Sequence, residues 1–400
     1  MAGPMPGGAV TPARPAGADL LAAARRLDAA FRRDLEAAVS IDSGSWSPDG
    51  VGRMAAWAAD RLTADGFLVE RIPTPETAGA RFADVVVGRR RGTGSARVLL
   101  FAHLDTVFAD GVAAERPYRV SGDRAYGPGV CDDKGGLVAG LTAARVLAET
   151  GWDGYGELVL AFTPDEEVGS PASRDILAAL ASESDVALCL ECARENGDLV
   201  GARKGVADLR VTVRGRAAHS GVEPERGVNA AVEAAHLVLE FQGLSATRPG
   251  LTVNVGRVRS GSRPNIVPDG AELQVEVRAE RTDDLLAAFD AFDDRAARPV
   301  VTGAAVSIER LDVCPPLEPA ATDALAAVAR RVGKELGLAF EIARTGGASD
   351  ANFVAATGVP TLDGLGPVGG GDHGVDEWLD LASVPERVAL LAGVIAECCR

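Results

Sequence analysis

Residues 158–167 read LVLAFTPDEE, an uninterrupted apolar run that stops just before a pair of acidic residues, and this stretch decides the fold prediction. A strand that is apolar on both faces is typical of a parallel sheet covered by helices. Adjacent side chains at the end of an extended strand point to opposite faces. Glu166 and Glu167 are therefore expected to have different roles, one holding a ligand and the other acting on it.

The same pattern recurs on both sides of this stretch. Short apolar runs at 85–87, 97–102 and 186–190 alternate with helical patterns at 135–149 and 171–181. This alternation predicts an α/β domain with a mostly parallel sheet that is flanked by helices. Further helices are predicted at 18–39, 48–65, 320–336 and 384–398.

The pattern changes in the middle of the chain. Segments 208–214 and 272–278 alternate polar and apolar residues, and helices are predicted around 226–242 and 281–294. Alternating strands belong to a sheet with one solvated face, which indicates a smaller α+β domain inserted into the larger one. The predicted division is a disordered tail at 1–17, a catalytic domain made of 18–205 and 316–400, and an inserted domain at 206–315.

The composition of the 400 residues narrows the class of protein. The formal net charge of −16 argues against nucleic-acid binding, because an acidic protein repels phosphates. No run approaches the roughly 20 apolar residues of a membrane helix. The first residues lack the apolar core of a secretory signal, so we predict a cytoplasmic protein.

The six cysteines do not indicate a disulfide framework in a chain of this length. Cys189 and Cys192 form a C-x-x-C motif, which is compatible with a redox site or half of a zinc site. No second pair follows at zinc-ribbon spacing, and the pattern therefore favours buried free thiols.

Histidine and acidic side chains occur at predicted strand ends and in glycine-rich turns. His103 and Asp105 follow the strand at 97–102 and project to one side, so Asp105 can hold the imidazole while its other nitrogen binds a metal. Asp132 lies in the turn GPGVCDDKGG at 127–136, where acids could also simply cap the next helix. The other candidates are Glu166, Glu167, Glu191 and His373.

These side chains are expected to meet, because the carboxyl ends of parallel strands converge on one crevice. Several unpaired acids would repel one another there unless cations neutralised them. Imidazole mixed with carboxylate favours zinc, with cobalt or manganese as alternatives. Two metals about 3.5–4 Å apart, bridged by a carboxylate and a water, would generate hydroxide at neutral pH. Glu167 would be a ligand, and Glu166 would pass the proton of the water to the leaving amine.

Taken together, these motifs resemble those of a di-zinc metallopeptidase family that includes glutamate carboxypeptidase (carboxypeptidase G), acetylornithine deacetylase and succinyl-diaminopimelate desuccinylase. The resemblance runs from about residue 30 to the C-terminus. It is nearest to glutamate carboxypeptidase, through AYGPG at 125–129 and GVNA at 227–230. It implies a zinc-peptidase catalytic domain that is interrupted by a lid and dimerisation domain, and hence a homodimer.

The resemblance also implies a role for each candidate residue. It assigns two Zn2+ ions per subunit, with Co2+ or Mn2+ as alternatives. The implied ligands are His103 and Glu191 on one ion, Glu167 and His373 on the other, and Asp132 as the bridge. Glu166 is implied to be the general base, Asp105 is implied to orient His103, and the peptide bond between Asp132 and Asp133 is implied to be cis.

In the inserted domain, the resemblance points to catalytic and substrate-binding residues. His219 matches a histidine that reaches into the neighbouring subunit's site and stabilises the oxyanion. Asn265, Arg278 and Gly347 match groups that contact the substrate, and Arg278 suits a carboxylate.

The sequence leaves several functions open. The favoured one is zinc-dependent hydrolysis of an amide bond that releases an amino acid from a peptide or N-acyl amino acid; removal of an acetyl or succinyl group is the alternative. Leu199 and Cys314 stand where glutamate-specific members are expected to carry basic residues, so the amino acid is not assigned. A ligand-binding protein without catalysis and a metal-free pair of acids are less favoured, because neither explains the complete set of acids and histidines.

Overall fold

The computed structural model describes residues 13–77 and 79–400, so most of the predicted tail at 1–17 lies outside the described residues. The α-helices are α1 Gly17–Val39, α2 Pro48–Ala64, α3 Val112–Glu115, α4 Lys134–Glu149, α5 Arg174–Ser182, α6 Ala230–Gln242, α7 Thr282–Ala296, α8 Pro319–Leu336, α9 Asp350–Ala356 and α10 Val384–Cys398. The strands are β1 Leu68–Ile72, β2 Val85–Arg91, β3 Arg97–His103, β4 Arg119–Ser121, β5 Arg124–Tyr126, β6 Glu157–Thr163, β7 Val186–Cys189, β8 Leu199–Arg203, β9 Gly205–Arg214, β10 Thr252–Ser260, β11 Gly270–Ala279, β12 Ala305–Cys314, β13 Ile342–Thr345, β14 Thr361–Leu362, β15 Gly369–Gly370 and β16 Trp378–Asp380.

The main sheet has the strand order β1-β2-β6-β3-β7-β14. Strands β6, β3, β7 and β14 are parallel to one another, whereas β1 and β2 add two antiparallel pairings at one edge. Every residue of β6 is buried, as its apolar composition on both faces requires. The mostly parallel sheet predicted from the sequence is thus confirmed.

Helix α4 connects the sheet to the helical layer. It contacts β3 and packs against α1 and α10. Its first turn lies directly against the end of a strand, since a Cβ atom at Gly136 would overlap the carbonyl oxygen of Leu190. Glycine at this position therefore allows the turn before α4 to approach the strand ends closely.

The described residues divide into two compact units, the first formed by those up to 201 together with 319–344 and 349–400, and the second by 202–318 and 345–348. In the second unit, strands in the order β10-β11-β9-β12 form an antiparallel sheet. Burial alternates along β9 and β11, and helices α6 and α7 contact this sheet. The alternation predicted for these strands is confirmed.

Two helices begin later than their sequence pattern predicts. Helix α6 starts at Ala230, because the Asn229 side chain accepts hydrogen bonds from the next backbone N–H groups and caps the helix there. Helix α5 starts at Arg174, because the Asp165 carboxylate accepts hydrogen bonds from the N–H of Ala172 and the hydroxyl of Ser173. None of the described helices is long and apolar enough to cross a membrane.

Candidate active site

The first part of the site lies at the carboxyl end of β3. His103 is the last residue of this strand, and both His103 and Asp105 are buried. The Nδ1 atom of His103 is 3.0 Å from the backbone oxygen of Asp105 and 3.5 Å from its carboxylate. The main chain of Asp105 therefore makes the closer contact, where the sequence predicted one from its side chain. This contact leaves Nε2 of His103 facing the acidic residues of the site.

Asp132 lies between the two histidines. Its Oδ1 atom is 2.9 Å from Nε2 of His103, and its Oδ2 atom is 3.1 Å from Nε2 of His373. Glu191 comes within 3.6 Å of His103, and Glu167 within 3.0 Å of His373. Two groups of three possible ligands thus share Asp132, and within each group the ligand atoms lie within 4.8 Å of one another. The peptide bond between Asp132 and Asp133 is cis.

The acidic pair after β6 forms a short 3-10 turn at Glu166–Val168. The Glu167 carboxylate points toward His373. The carboxylate of Glu166 makes no hydrogen bond within the described part of the chain, while its backbone N–H donates to Asp105. The two carboxylates have different surroundings, but β6 ends at Thr163 and the pair lies in this turn, so the alternation of an extended strand is not the reason.

Electrostatic interactions in this cluster favour positive charge. Burial would raise the pKa of Asp132, but hydrogen bonds from His103 and His373 outweigh it and hold that pKa below its usual range. Hydrogen bonds to Asp132 and Glu167 raise the pKa of His373 to about 11. Burial raises the pKa of Glu166 well above its ordinary value. The cluster therefore attracts protons or other cations.

These residues fit a site for divalent cations. The Oε1 atom of Glu167 is buried and has no hydrogen-bond partner among the described residues, although an uncompensated buried carboxylate oxygen is costly. A cation held between Asp132, Glu167 and His373 would satisfy this oxygen. Mixed imidazole and carboxylate donors are typical of catalytic zinc sites.

Two buried acids that support the site were not predicted from the sequence. The Glu377 carboxylate accepts hydrogen bonds from the backbone N–H groups of Gly129, Cys131 and Asp132 at 2.9, 2.7 and 3.0 Å. Asp350 accepts a hydrogen bond from Thr163 at the end of β6. In the sequence Glu377 stands only in a polar loop, and no motif around it marks a buried acceptor.

Asp350 also holds the backbone that follows the acidic pair. It accepts a second hydrogen bond from the hydroxyl of Ser170. Ser170 has a φ angle of 53°, which is unusual for a residue other than glycine. Asp350 therefore links the end of β6 to the turn that carries Glu166 and Glu167.

The remaining predicted residues lie in the second unit. His219 is exposed, and its Nδ1 atom accepts a hydrogen bond from the N–H of Gly221. The guanidinium of Arg278 donates to both carboxylate oxygens of Glu276, at 2.8 and 3.0 Å, and to the backbone oxygen of Gly346 at 2.8 Å. Arg278, for which the resemblance implied a substrate carboxylate, is paired with Glu276 in this structure.

Asn265 and Gly347 also belong to the second unit, and both make contacts through their backbone oxygens. Asn265 accepts a hydrogen bond from the N–H of Ser220, and Gly347 accepts one from Arg203 at 3.5 Å. Asn265 is exposed, so its side chain is accessible to solvent.

A cavity of about 400 Å3 adjoins Glu167 in the first unit. Its walls include Trp46, Val107 and Phe108, and 71% of Trp46 is exposed. The cavity thus combines apolar walls with the carboxylate of Glu167, a mixture that ligand pockets commonly have.

Comparison with known proteins identifies the family. A sequence model of peptidase family M20/M25/M40 matches residues 99–397 of this chain. The chain belongs to this family. Carboxypeptidase G2 from Pseudomonas sp. (strain RS-16) is 33% identical over 372 residues, which cover 91% of this chain and 88% of that protein. The family predicted from the motifs is confirmed.

Two further proteins are similar to this chain, one in sequence and one in fold. Acetylornithine deacetylase from Myxococcus xanthus is 29% identical over 262 residues, covering 62% of this chain and 67% of the relative. A tripeptidase from Staphylococcus aureus has the same fold, with a TM-score of 0.75, 22% identity and coverage of 93% and 99% of the two chains. This M20 chain is a metal-dependent peptidase or amidohydrolase, and the predicted class of enzyme is confirmed.

Proposed function

We propose that this chain uses two Zn2+ ions to hydrolyse an amide bond and release an amino acid from a peptide or an N-acyl amino acid. The observation that carries the proposal is the position of Asp132, whose two carboxylate oxygens each face a different histidine at 2.9 and 3.1 Å. A carboxylate in this position is suited to bridge two cations. Co2+ and Mn2+ are alternatives, because the same donors also bind them.

The proposed ligands form two sets that share one residue. His103 and Glu191 would hold the first ion, Glu167 and His373 would hold the second, and Asp132 would bridge them. When bound, the ions would act as Lewis acids that polarise the substrate carbonyl and make water more acidic.

Glu166 is the proposed general base. Its carboxylate has no hydrogen-bond partner within the described residues, and burial raises its pKa well above the ordinary value. Both features make this carboxylate a stronger proton acceptor than an ordinary glutamate. Glu166 would take a proton from the attacking water and transfer it to the departing amine nitrogen, as the amide bond breaks.

The cavity beside Glu167 suggests the kind of substrate. The rings of Trp46 and Phe108 and the side chain of Val107 would pack against an aromatic or large aliphatic group of the substrate, next to the scissile bond. A peptide or acyl amino acid with such a group would fill more of the 400 Å3 cavity than an acetyl group would. This observation favours a bulky substrate over an N-acetyl amino acid.

Deacylation of an N-acetyl or N-succinyl amino acid is the alternative reaction. Its support is the similarity to acetylornithine deacetylase, with 29% identity. Both reactions break the same kind of bond with the same side chains, so only substrates distinguish them.

We further propose that the chain acts as a homodimer in which His219 completes the site of the partner subunit. Its imidazole is exposed and has its Nδ1 atom fixed by the N–H of Gly221. The Nε2 atom would then be the donor that stabilises the oxyanion of the substrate. Asn265, Arg278 and Gly347 are the proposed substrate-binding residues of the same unit.

The proposal is tested by measuring amine release from a panel of dipeptides and N-acyl amino acids, with zinc-loaded protein and with protein treated with a chelator. We expect chelator-sensitive release, fastest from substrates with a large apolar group. Release of acetate or succinate from small substrates alone would favour the deacylase. Tight binding of a substrate analogue with no hydrolysis of any member of the panel would contradict the proposed reaction.

The role of Glu166 is tested by Glu166→Gln, which keeps the size of the side chain and removes the base. General bases contribute roughly 100-fold to 10,000-fold in rate, so kcat should fall by this factor while the bound zinc stays at two ions per chain. A variant that loses zinc would instead place Glu166 among the ligands. A variant that keeps full turnover would exclude it as the base.

A further inference from the structure

Three residues outside the proposed ligand set form another group of potential donors. The sulfur atoms of Cys131 and Cys192 and a carboxylate oxygen of Asp372 all lie within 4.8 Å of one another. The Sγ atom of Cys192 is 3.8 Å from Oδ2 of Asp372. The sequence motif paired Cys192 with Cys189, whereas the fold places Cys131 beside it.

The geometry of this group is suited to a cation. Cys131 is fully buried and Cys192 is 8% exposed, so the two sulfur atoms are held by the surrounding protein. A Cβ atom at Gly369 would overlap Sγ of Cys131, which shows that this glycine lets the thiol lie against the backbone. Asp372 is exposed and marks the side on which solvent reaches the group.

We propose that Cys131, Cys192 and Asp372 bind a third divalent cation, of the thiophilic class that includes Cd2+ and excess Zn2+. Thiolate sulfur prefers such cations over Mg2+, Ca2+ or Mn2+. As the two metal–sulfur bonds form, each thiol releases its proton to the solvent, and the carboxylate and a water complete a four-coordinate site. The donor set differs from the proposed catalytic set, which contains no sulfur.

The new site is directly connected to the catalytic one through the chain. Each of its residues is the immediate sequence neighbour of a proposed catalytic ligand. The pairs are Cys131 with Asp132, Cys192 with Glu191, and Asp372 with His373. A cation bound to the three donors would pull on ligands of both catalytic ions, so its binding is expected to inhibit hydrolysis.

The test is a titration of zinc-loaded protein with Cd2+, followed by the ultraviolet absorption of sulfur-to-cadmium charge transfer. Only thiolate ligands produce this absorption, so exchange of Cd2+ into the catalytic positions stays invisible. We expect the absorption to saturate at one Cd2+ per chain, with three divalent ions per chain by elemental analysis. Activity should fall along the same titration curve.

Variants identify the ligands. Cys131→Ser and Cys192→Ser should each weaken Cd2+ binding by more than the roughly 10–100-fold that loss of an outer-shell partner costs. Cys189→Ser removes a buried cysteine outside the group and is the matched control, which should titrate like the original protein. Asp372→Asn changes an exposed residue and keeps both thiols, so it tests the site even where a buried serine impairs folding.

Three results would overturn the proposal. The first is the absence of charge-transfer absorption when Cd2+ is added to the zinc-loaded protein. The second is a charge-transfer absorption that is lost in Cys189→Ser but retained in Cys131→Ser and Cys192→Ser. The third is a total that stays at two divalent ions per chain when Cd2+ is in excess. None of these results depends on which substrate the enzyme cleaves, so they leave the proposed function untouched.

Discussion

The carboxylate of Asp105 accepts a hydrogen bond from the backbone N–H of Glu166 at 3.1 Å. Its other oxygen accepts one from the N–H of Glu167 at 3.2 Å and one from the hydroxyl of Ser45 at 2.6 Å. The backbone oxygen of Asp105 contacts His103. Asp105 therefore holds the backbone of Glu166, the proposed base, and of Glu167, a proposed ligand of one ion. It also contacts His103, a proposed ligand of the other ion.

Asp105→Asn is expected to disturb this arrangement, because the amide NH2 would face an N–H group that needs an acceptor. We predict a loss of roughly 10–100-fold in zinc affinity or in kcat, the usual cost of losing an outer-shell partner. Zinc titration and kcat measured at saturating zinc separate the two effects. Ser45→Ala, which removes one donor to the same carboxylate, is the control and should cost less.

Glu377→Gln is expected to loosen the turn that carries Asp132. The side chain would keep one acceptor oxygen, and its NH2 group would face a backbone N–H in a buried site. An unsatisfied buried group costs about 1–3 kcal/mol, so the free energy of unfolding and the zinc affinity should both decrease. Asp376→Asn changes the exposed neighbour and should have neither effect. Unchanged zinc affinity in Glu377→Gln would show that the turn does not depend on this carboxylate.

Trp46→Ala should impair only substrates with a large apolar group. An aromatic contact contributes roughly 0.5–1.5 kcal/mol, which corresponds to an increase in KM of roughly twofold to tenfold. Substrates with a small acyl group should keep their KM, and Trp46→Phe should restore much of the binding. Equal losses for small and large substrates would mean that the cavity does not receive the apolar group.

Mixing two inactive variants tests the shared site. A subunit with His219→Ala keeps Glu166, and a subunit with Glu166→Gln keeps His219, so a heterodimer would contain one intact site. We expect activity to appear when the two are co-expressed, while each variant alone stays inactive. His236→Ala, in α6, is the matched control and should be active alone. Inactive heterodimers, verified by mass, would contradict the proposed role of His219.

Much of the fold could be predicted from local patterns. The apolar run Leu158–Phe162 identified a strand buried on both faces, and the alternation in 208–214 identified a strand with one open face. These patterns are decided within a few residues, by burial and side-chain period. Helix α5 begins later than its sequence pattern predicts. The reason is that the N–H of Ala172 and the hydroxyl of Ser173 donate hydrogen bonds to the carboxylate of Asp165.

The sequence by itself determined the chemical character of the site, since histidines and acids at strand ends in a parallel sheet must converge. Only the tertiary structure decided which groups surround them. Glu377 supports Asp132 from 245 positions away, and Asp350 reaches Ser170 from 180 positions away. Cys131 and Cys192 come together in the same manner. Such contacts depend on how distant segments pack, and no local periodicity records them, because each segment forms its own helix, strand or turn without the other.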